Sequence, residues 1–69
     1  MKKNYYVNTQ AQSTGEHEVH TSDCNYLPKV ENRKYLGAFD NCKDALAEAR
    51  KTYNKVDGCY YCCNSCHKK

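Results

Sequence analysis

This 69-residue chain has no tryptophan, one phenylalanine and one proline, and outside its cysteine-rich tail no apolar run exceeds three residues. A membrane-spanning helix needs about 20 apolar residues, so none is expected. The N-terminal stretch MKKNYYVNTQ also lacks the apolar segment of a secretory signal, although a mature form already relieved of its signal would look the same. We therefore expect a cytoplasmic protein.

The hydrophobic content is too small for an ordinary core. A domain of this size buries roughly 60 % of its unfolded surface and is marginal without help. Six cysteines, four of them in the tail DGCYYCCNSCHKK, offer that help as disulfides or as metal ligands. In a reducing compartment clustered cysteines more often bind metal or perform redox chemistry, so we expect a metal.

The net charge of +3 is unevenly distributed, because residues 41–69 carry six Lys/Arg against three Asp/Glu and residues 1–40 are balanced. This excess is compatible with a nucleic-acid partner or with an ordinary solvated surface. Tyr60 and Tyr61 could stack on bases, or could serve as packing residues in a chain without tryptophan. A protein partner is the other candidate.

The segment order predicts one α+β domain over residues 1–69. Tyr5–Val7 and the stretch from Glu16 to Thr21 are expected to form a β-hairpin with a long polar connection. Lys34–Phe39 is expected to be a third strand with a bulge at Gly37. Asp57 and Gly58 are predicted to form a turn that leads into a cysteine-rich zinc-binding loop.

The clearest predicted element is a helix from about Cys42 to Tyr53, with Asp40 or Asn41 as N-cap and Asp44 in the first turn. Apolar residues recur along it at three- and four-residue spacing: Cys42, Ala45, Leu46, Ala49 and Tyr53. They therefore share one face, which we expect to pack on the sheet, with Val56 completing the core.

Two short-spaced pairs suggest a metal site. His20 and Cys24 lie four residues apart at the end of the second predicted strand, and Cys59-x-x-Cys62 supplies two thiolates from one loop. Zn²⁺ prefers four such ligands at tetrahedral corners. The predicted Zn²⁺ ligands are His20, Cys24, Cys59 and Cys62, with Cys66 as alternative fourth ligand and with sets that use Cys63, Cys42 or His67 also open.

The stretches VHTSDCNYL, ENRKYLGAF, KDALAEA and CYYC, in this order over roughly residues 19–62, resemble the small Ada-type metal-binding domain and its HxxxC variants. In that family the domain belongs to a DNA-repair methyltransferase, and similar modules are appended to nucleases. The resemblance implies that His20, Cys24, Cys59 and Cys62 bind zinc. Because His20 stands where the repair protein has a methyl-accepting cysteine, the resemblance does not imply methyl transfer.

Three functions are compatible with the sequence. The first is a non-catalytic zinc-binding module without a small-molecule substrate, because a closed ligand set leaves no open position for catalysis. The second is a thiol/disulfide redox protein, although thioredoxin-like chemistry places Cys-x-x-Cys at a helix N-terminus. The third is an exported disulfide-stapled scaffold.

Cys42 is interpreted as a buried apolar residue or a reactive thiol, and His17 as a residue of the sheet face.

Overall fold

A computed structural model describes residues 1–68 and shows the α+β architecture predicted from the sequence. Its four strands are β1 (Lys3–Asn8), β2 (His17–Thr21), β3 (Arg33–Phe39) and β4 (Val56–Gly58). One α-helix, α1 (Cys42–Ala49), lies between β3 and β4, and two 3₁₀ turns cover Val30–Asn32 and Asn64–Cys66. Within residues 1–68, no helix is long and apolar enough to cross a membrane.

The strands form one mixed sheet in the order β3-β1-β2-β4. The predicted hairpin is present, since β1 pairs antiparallel with β2. On its other side β1 pairs antiparallel with β3, and the register shifts by one residue at Leu36, next to Gly37. Gly37 has a φ of 125°, a conformation that side chains rarely tolerate, so the bulge expected there is confirmed.

The prediction of a turn at Asp57 and Gly58 is wrong, because both residues belong to β4. This short strand pairs parallel with β2, so that Glu18 faces Asp57 and Val19 faces Gly58. An Asp-Gly pair normally favours a turn. Here the open edge of β2 supplies hydrogen-bond partners, and the missing side chain of Gly58 lets the following loop fold closely over the strand.

Helix α1 begins as predicted and ends earlier. Asn41 is the N-cap, and its Oδ1 accepts a 2.9 Å hydrogen bond from the backbone N–H of Asp44. Instead of reaching Tyr53, the helix ends at Ala49, because the N–H groups of Lys51 and Thr52 bond to carbonyls three residues back. The final turn is therefore tighter than an α-helix.

The core lies between α1 and the sheet. Tyr53 and Val56 pack at the margin of the core. The other residues predicted for the apolar helix face are all buried: Cys42, Ala45, Leu46 and Ala49. They meet Tyr5, Val7 and Val19, which lie on one face of β1 and β2 because side chains alternate along a strand. Two tail cysteines, Cys59 and Cys63, complete this cluster. The tail is thus packed into the fold.

Gly58→Ala should destabilise the protein, because the added Cβ would lie 2.6 Å from the carbonyl oxygen of Cys63 and 2.8 Å from the Cβ of Cys66. The expected loss in free energy of unfolding is about 1–3 kcal/mol. Urea unfolding measures it, and amide NMR should show the largest shifts in residues 57–66 with the β1–β3 pairing retained. A loss below about 0.5 kcal/mol would contradict the close packing at Gly58.

Candidate metal centre

One imidazole and three thiols meet at the end of the β2–β4 pair. The ligand atoms of His20, Cys24, Cys59 and Cys62 all lie within 4.8 Å of one another, which is close enough to hold a metal ion. The Sγ of Cys24 lies 3.6 Å from His20 Nδ1 and 3.8 Å from Cys59 Sγ. The Sγ of Cys62 lies 4.0 Å from His20 Nδ1.

The parallel pairing of β2 with β4 brings these residues together. His20 lies in β2 one residue after Val19, and Cys59 follows Gly58, the partner of Val19. The two strands run in the same direction, so both residues lie at the same edge of the sheet. The backbone N–H of Cys59 also donates to the carbonyl oxygen of Val19 at 3.0 Å, which extends the ladder to the site.

Backbone donors and one carboxylate surround the four residues. The N–H of Thr21 donates to Cys62 Sγ at 3.3 Å, and the N–H of Tyr26 donates to Cys24 Sγ at 3.4 Å. The Oε1 of Glu18 lies 3.6 Å from Nε2 of His20, the ring nitrogen that faces away from the thiols. A carboxylate beside the outer nitrogen fixes the orientation of a metal-binding histidine.

The environment of the cluster disfavours isolated charges. His20 is 1 % exposed, and burial lowers the pKa of its imidazole, which favours the neutral form that binds metals. Burial, with smaller contributions from Cys62 and Cys59, outweighs the hydrogen bond from the Tyr26 N–H and raises the pKa of the Cys24 thiol to about 12. For Cys62 burial raises the pKa, but the hydrogen bond from Thr21 and the neighbouring thiols outweigh it and bring the pKa below its ordinary value.

The other candidate ligands lie elsewhere. Cys66 forms a disulfide with Cys42, so it offers no thiolate to this group. Cys42 is buried in the core as one interpretation expected, but its sulfur is part of this bond, so it is not the free reactive thiol of the other. Cys63 is a buried free thiol 4.0 Å from Cys62 Sγ. Nδ1 of His67 lies 2.9 Å from the carbonyl oxygen of Gly58.

The loops that carry the cysteines also present exposed aromatic rings. Tyr26 and Tyr61 stack with centroids 4.3 Å apart, and Tyr60 meets Tyr61 edge to face at 5.1 Å. All three are exposed: Tyr26 at 57 %, Tyr61 at 65 % and Tyr60 at 56 %. We call them the tyrosine cluster. By contrast, His17 is half-buried and stacks on Tyr53 with centroids 3.7 Å apart.

Sequence reasoning missed three features of this region. Glu18 could have been identified, since it lies two residues before His20 and therefore on the same face of β2. The donors Thr21 and Tyr26 act through their backbone, so side-chain identity gives no sign of them. The disulfide depends on how the tail packs against α1, and a spacing of 24 residues carries no signature.

Comparison with protein-family models, curated proteins and solved structures found no match for this chain.

Titration with Co²⁺ as a spectroscopic probe should give the visible bands of a tetrahedral site and a sulfur-to-metal charge-transfer band. Cys24→Ser, Cys59→Ser or Cys62→Ser should each reduce that band by about one third, because one of three thiolates is lost. His20→Ala should weaken affinity at least about tenfold while the charge-transfer band remains.

Cys63→Ser is the matched control, since this buried cysteine adjoins the same group without belonging to it. It should leave the spectrum and affinity unchanged. If Cys63→Ser or Cys66→Ser reduced the charge-transfer band and Cys24→Ser did not, a different ligand set would hold the metal.

Proposed function

We propose that this protein is a non-catalytic module whose fold depends on one Zn²⁺ ion bound by His20, Cys24, Cys59 and Cys62. The observation that carries the proposal is the convergence of these four donor atoms from two distant segments of the chain. One segment supplies His20 and Cys24 from the end of β2 and the turn after it. The other supplies both remaining ligands directly after β4.

The spacing of the donors suits zinc. With Zn–S bonds of about 2.3 Å and a Zn–N bond of about 2.0 Å, neighbouring tetrahedral corners lie about 3.6–3.8 Å apart. The separations of 3.6 Å from Cys24 to His20 and 3.8 Å from Cys24 to Cys59 agree with these edges, and that of 4.0 Å from Cys62 to His20 is slightly longer. Three thiolates with one imidazole are a common donor set of structural zinc sites.

The charge balance supports a structural role. Three thiolates and Zn²⁺ leave one net negative charge, which the N–H groups of Thr21 and Tyr26 partly offset at two of the sulfurs. Four protein ligands also leave no coordination position for a substrate or an activated water. A hydrolytic zinc enzyme would need that position, so we assign the metal to folding.

The other two functions have weaker support. Cys59 and Cys62 point towards the same place as His20 and Cys24, so a disulfide between them would remove two ligands from the group. An exported scaffold would be expected to pair most of its cysteines. Residues 1–68 contain one disulfide, and four cysteines are free.

Membership of the Ada-type class is part of the proposal. The resemblance in motif order assigns zinc to the same four residues that the donor geometry favours. It also leaves the methyl-acceptor reaction outside the proposed function, since His20 replaces the nucleophilic thiolate.

We further propose that the tyrosine cluster contacts single-stranded nucleic acid. Tyr26, Tyr60 and Tyr61 are exposed and mutually packed, and the proposed metal would fix the loops that carry them. Exposed aromatic rings bind unpaired bases by stacking, with little dependence on base identity. The net charge of +3, with its excess in residues 41–69, favours a polyanion over a basic or neutral partner surface.

Native mass spectrometry should detect one zinc ion on a chain that is two hydrogens lighter than the fully reduced mass, because Cys42 and Cys66 are bonded. A chelator at neutral pH should remove the metal and collapse the circular-dichroism and amide NMR spectra. The zinc contribution to folding is expected to be on the order of 10 kcal/mol. Re-addition of Zn²⁺ should restore both spectra and Mg²⁺ should not. Spectra unaffected by metal removal would refute the proposed role.

Tyr61→Ala and Tyr60→Ala should each weaken binding of a labelled oligothymidine by about 1–3 kcal/mol in fluorescence anisotropy at low salt, since each removes a stacking ring. Tyr35→Ala is the matched control, because Tyr35 is 53 % exposed on β3, away from the cysteine loops. Equal losses for all three variants, or no binding at low salt, would contradict this contact and favour a protein partner.

A further inference from the structure

A cleft of about 540 Å³ lies beside α1, away from the proposed zinc ligands. The Cys42–Cys66 disulfide forms part of its wall, together with the cations Lys43, Arg50 and Lys68. Among residues 1–68, no acidic side chain lines it. The cleft therefore places a reducible disulfide beside three positively charged side chains.

The two cysteines of the disulfide differ in exposure. Cys42 is buried at 8 % exposure, while Cys66 is partly exposed in the 3₁₀ turn that covers Asn64–Cys66. A thiolate that enters the cleft therefore meets Cys66 first. Attack on Cys66 makes Cys42 the leaving group.

The surroundings of Cys42 stabilise a leaving thiolate. Cys42 is the first residue of α1, where the unpaired N–H groups and the helix dipole favour negative charge. The hydroxyl oxygen of Ser65 lies 3.3 Å from Cys42 Sγ and can donate a hydrogen bond to that sulfur. A better-stabilised leaving thiolate departs faster in exchange.

The cations determine which thiols the cleft favours. Lys43 lies in the first turn of α1 and Arg50, seven residues later, is its C-cap, so both line the same side of the helix, and Lys68 lines the cleft from the tail. An anionic molecule is concentrated by a cleft of one charge sign, which can raise association rates by about 10- to 1,000-fold. The favoured reductant is thus a small thiol that carries carboxylates.

We propose that this cleft is a thiol–disulfide exchange site for small anionic thiols. The incoming thiolate bonds to Cys66 Sγ, the S–S bond breaks, and its electron pair goes to Cys42 Sγ. A second thiolate attacks the thiol-derived sulfur of the mixed disulfide and releases Cys66 as a thiolate. In total two thiols are oxidised to one small disulfide, and their two electrons and two protons reduce the protein disulfide.

Reduction of this bond frees the 3₁₀ turn from its covalent link to α1. The turn keeps its hydrogen bonds to the rest of the tail, including that of the Cys66 N–H to the carbonyl oxygen of Cys63 at 2.9 Å. His67 likewise keeps its contact with Gly58. Exchange thus alters how the tail is attached while the proposed zinc ligands remain in place.

The test uses the oxidised, zinc-loaded full-length protein and three probe thiols: mercaptosuccinate, 2-mercaptoethanol and cysteamine, which are anionic, neutral and cationic. Each rate constant per thiolate is divided by that for the same thiol with a small uncharged disulfide, which corrects for intrinsic nucleophilicity. Mercaptosuccinate should then react at least about tenfold faster than 2-mercaptoethanol at low salt, and cysteamine more slowly. High salt should reduce the difference.

Lys43→Gln combined with Arg50→Gln should lower the preference for mercaptosuccinate to below about threefold, since both exposed cations line the cleft. Lys2→Gln combined with Lys29→Gln is the control, because both lysines are exposed and lie outside the cleft. These two substitutions remove the same amount of positive charge. After quenching with N-ethylmaleimide in acid, peptide mapping should place the mixed disulfide on Cys66 and the alkyl group on Cys42.

Equal corrected rates for the three thiols, an adduct on Cys42, or the same loss of preference in both double variants would overturn the proposal. So would a protein purified without the Cys42–Cys66 bond. Zinc content measured on the same samples tests the metal site separately, so that failure of one proposal is distinguishable from failure of the other.

Discussion

The parallel pairing of β2 with β4 is the constraint on which the rest of this structure depends. It extends the sheet beyond the β1–β2 hairpin and sets Cys59 beside His20, although 38 residues separate them in the sequence. It also directs the tail back over Gly58, where the lack of a side chain lets Cys63 and Cys66 approach. A slip of one residue in this register would turn the ligands of one strand away from those of the other.

The site and the core are parts of one cluster in this protein. Cys59 and Cys63 are buried with Val19 and with the apolar face of α1, and Cys24 and Cys62 pack against the same group. In a chain this short, sulfur atoms therefore replace part of the aliphatic volume that a larger domain would place in its core. A substitution at Cys59 would consequently disturb the ligand geometry and the core packing together.

Local patterns predicted the elements that depend on local chemistry. The cap at Asn41 and the buried face of α1 follow from side-chain spacing, and the bulge near Gly37 follows from the conformational freedom of glycine. The grouping of His20 and Cys24 with a Cys-x-x-Cys pair was also visible as spacing. Features set by distant contacts were not visible: β4, formed against the local preference of Asp57 and Gly58, and the bond between Cys42 and Cys66.

The bulge in β3 also affects how this small sheet meets other molecules. Both β3 and β4 are edge strands, and an exposed edge offers unpaired backbone groups to any neighbouring extended chain. β4 has only three residues, which limits what can align along it. On the longer edge, the irregularity at Leu36 and Gly37 interrupts the hydrogen-bonding repeat and the exposed Lys34 adds charge. The feature that fits β3 to β1 thus also makes this edge a poor template for strand addition.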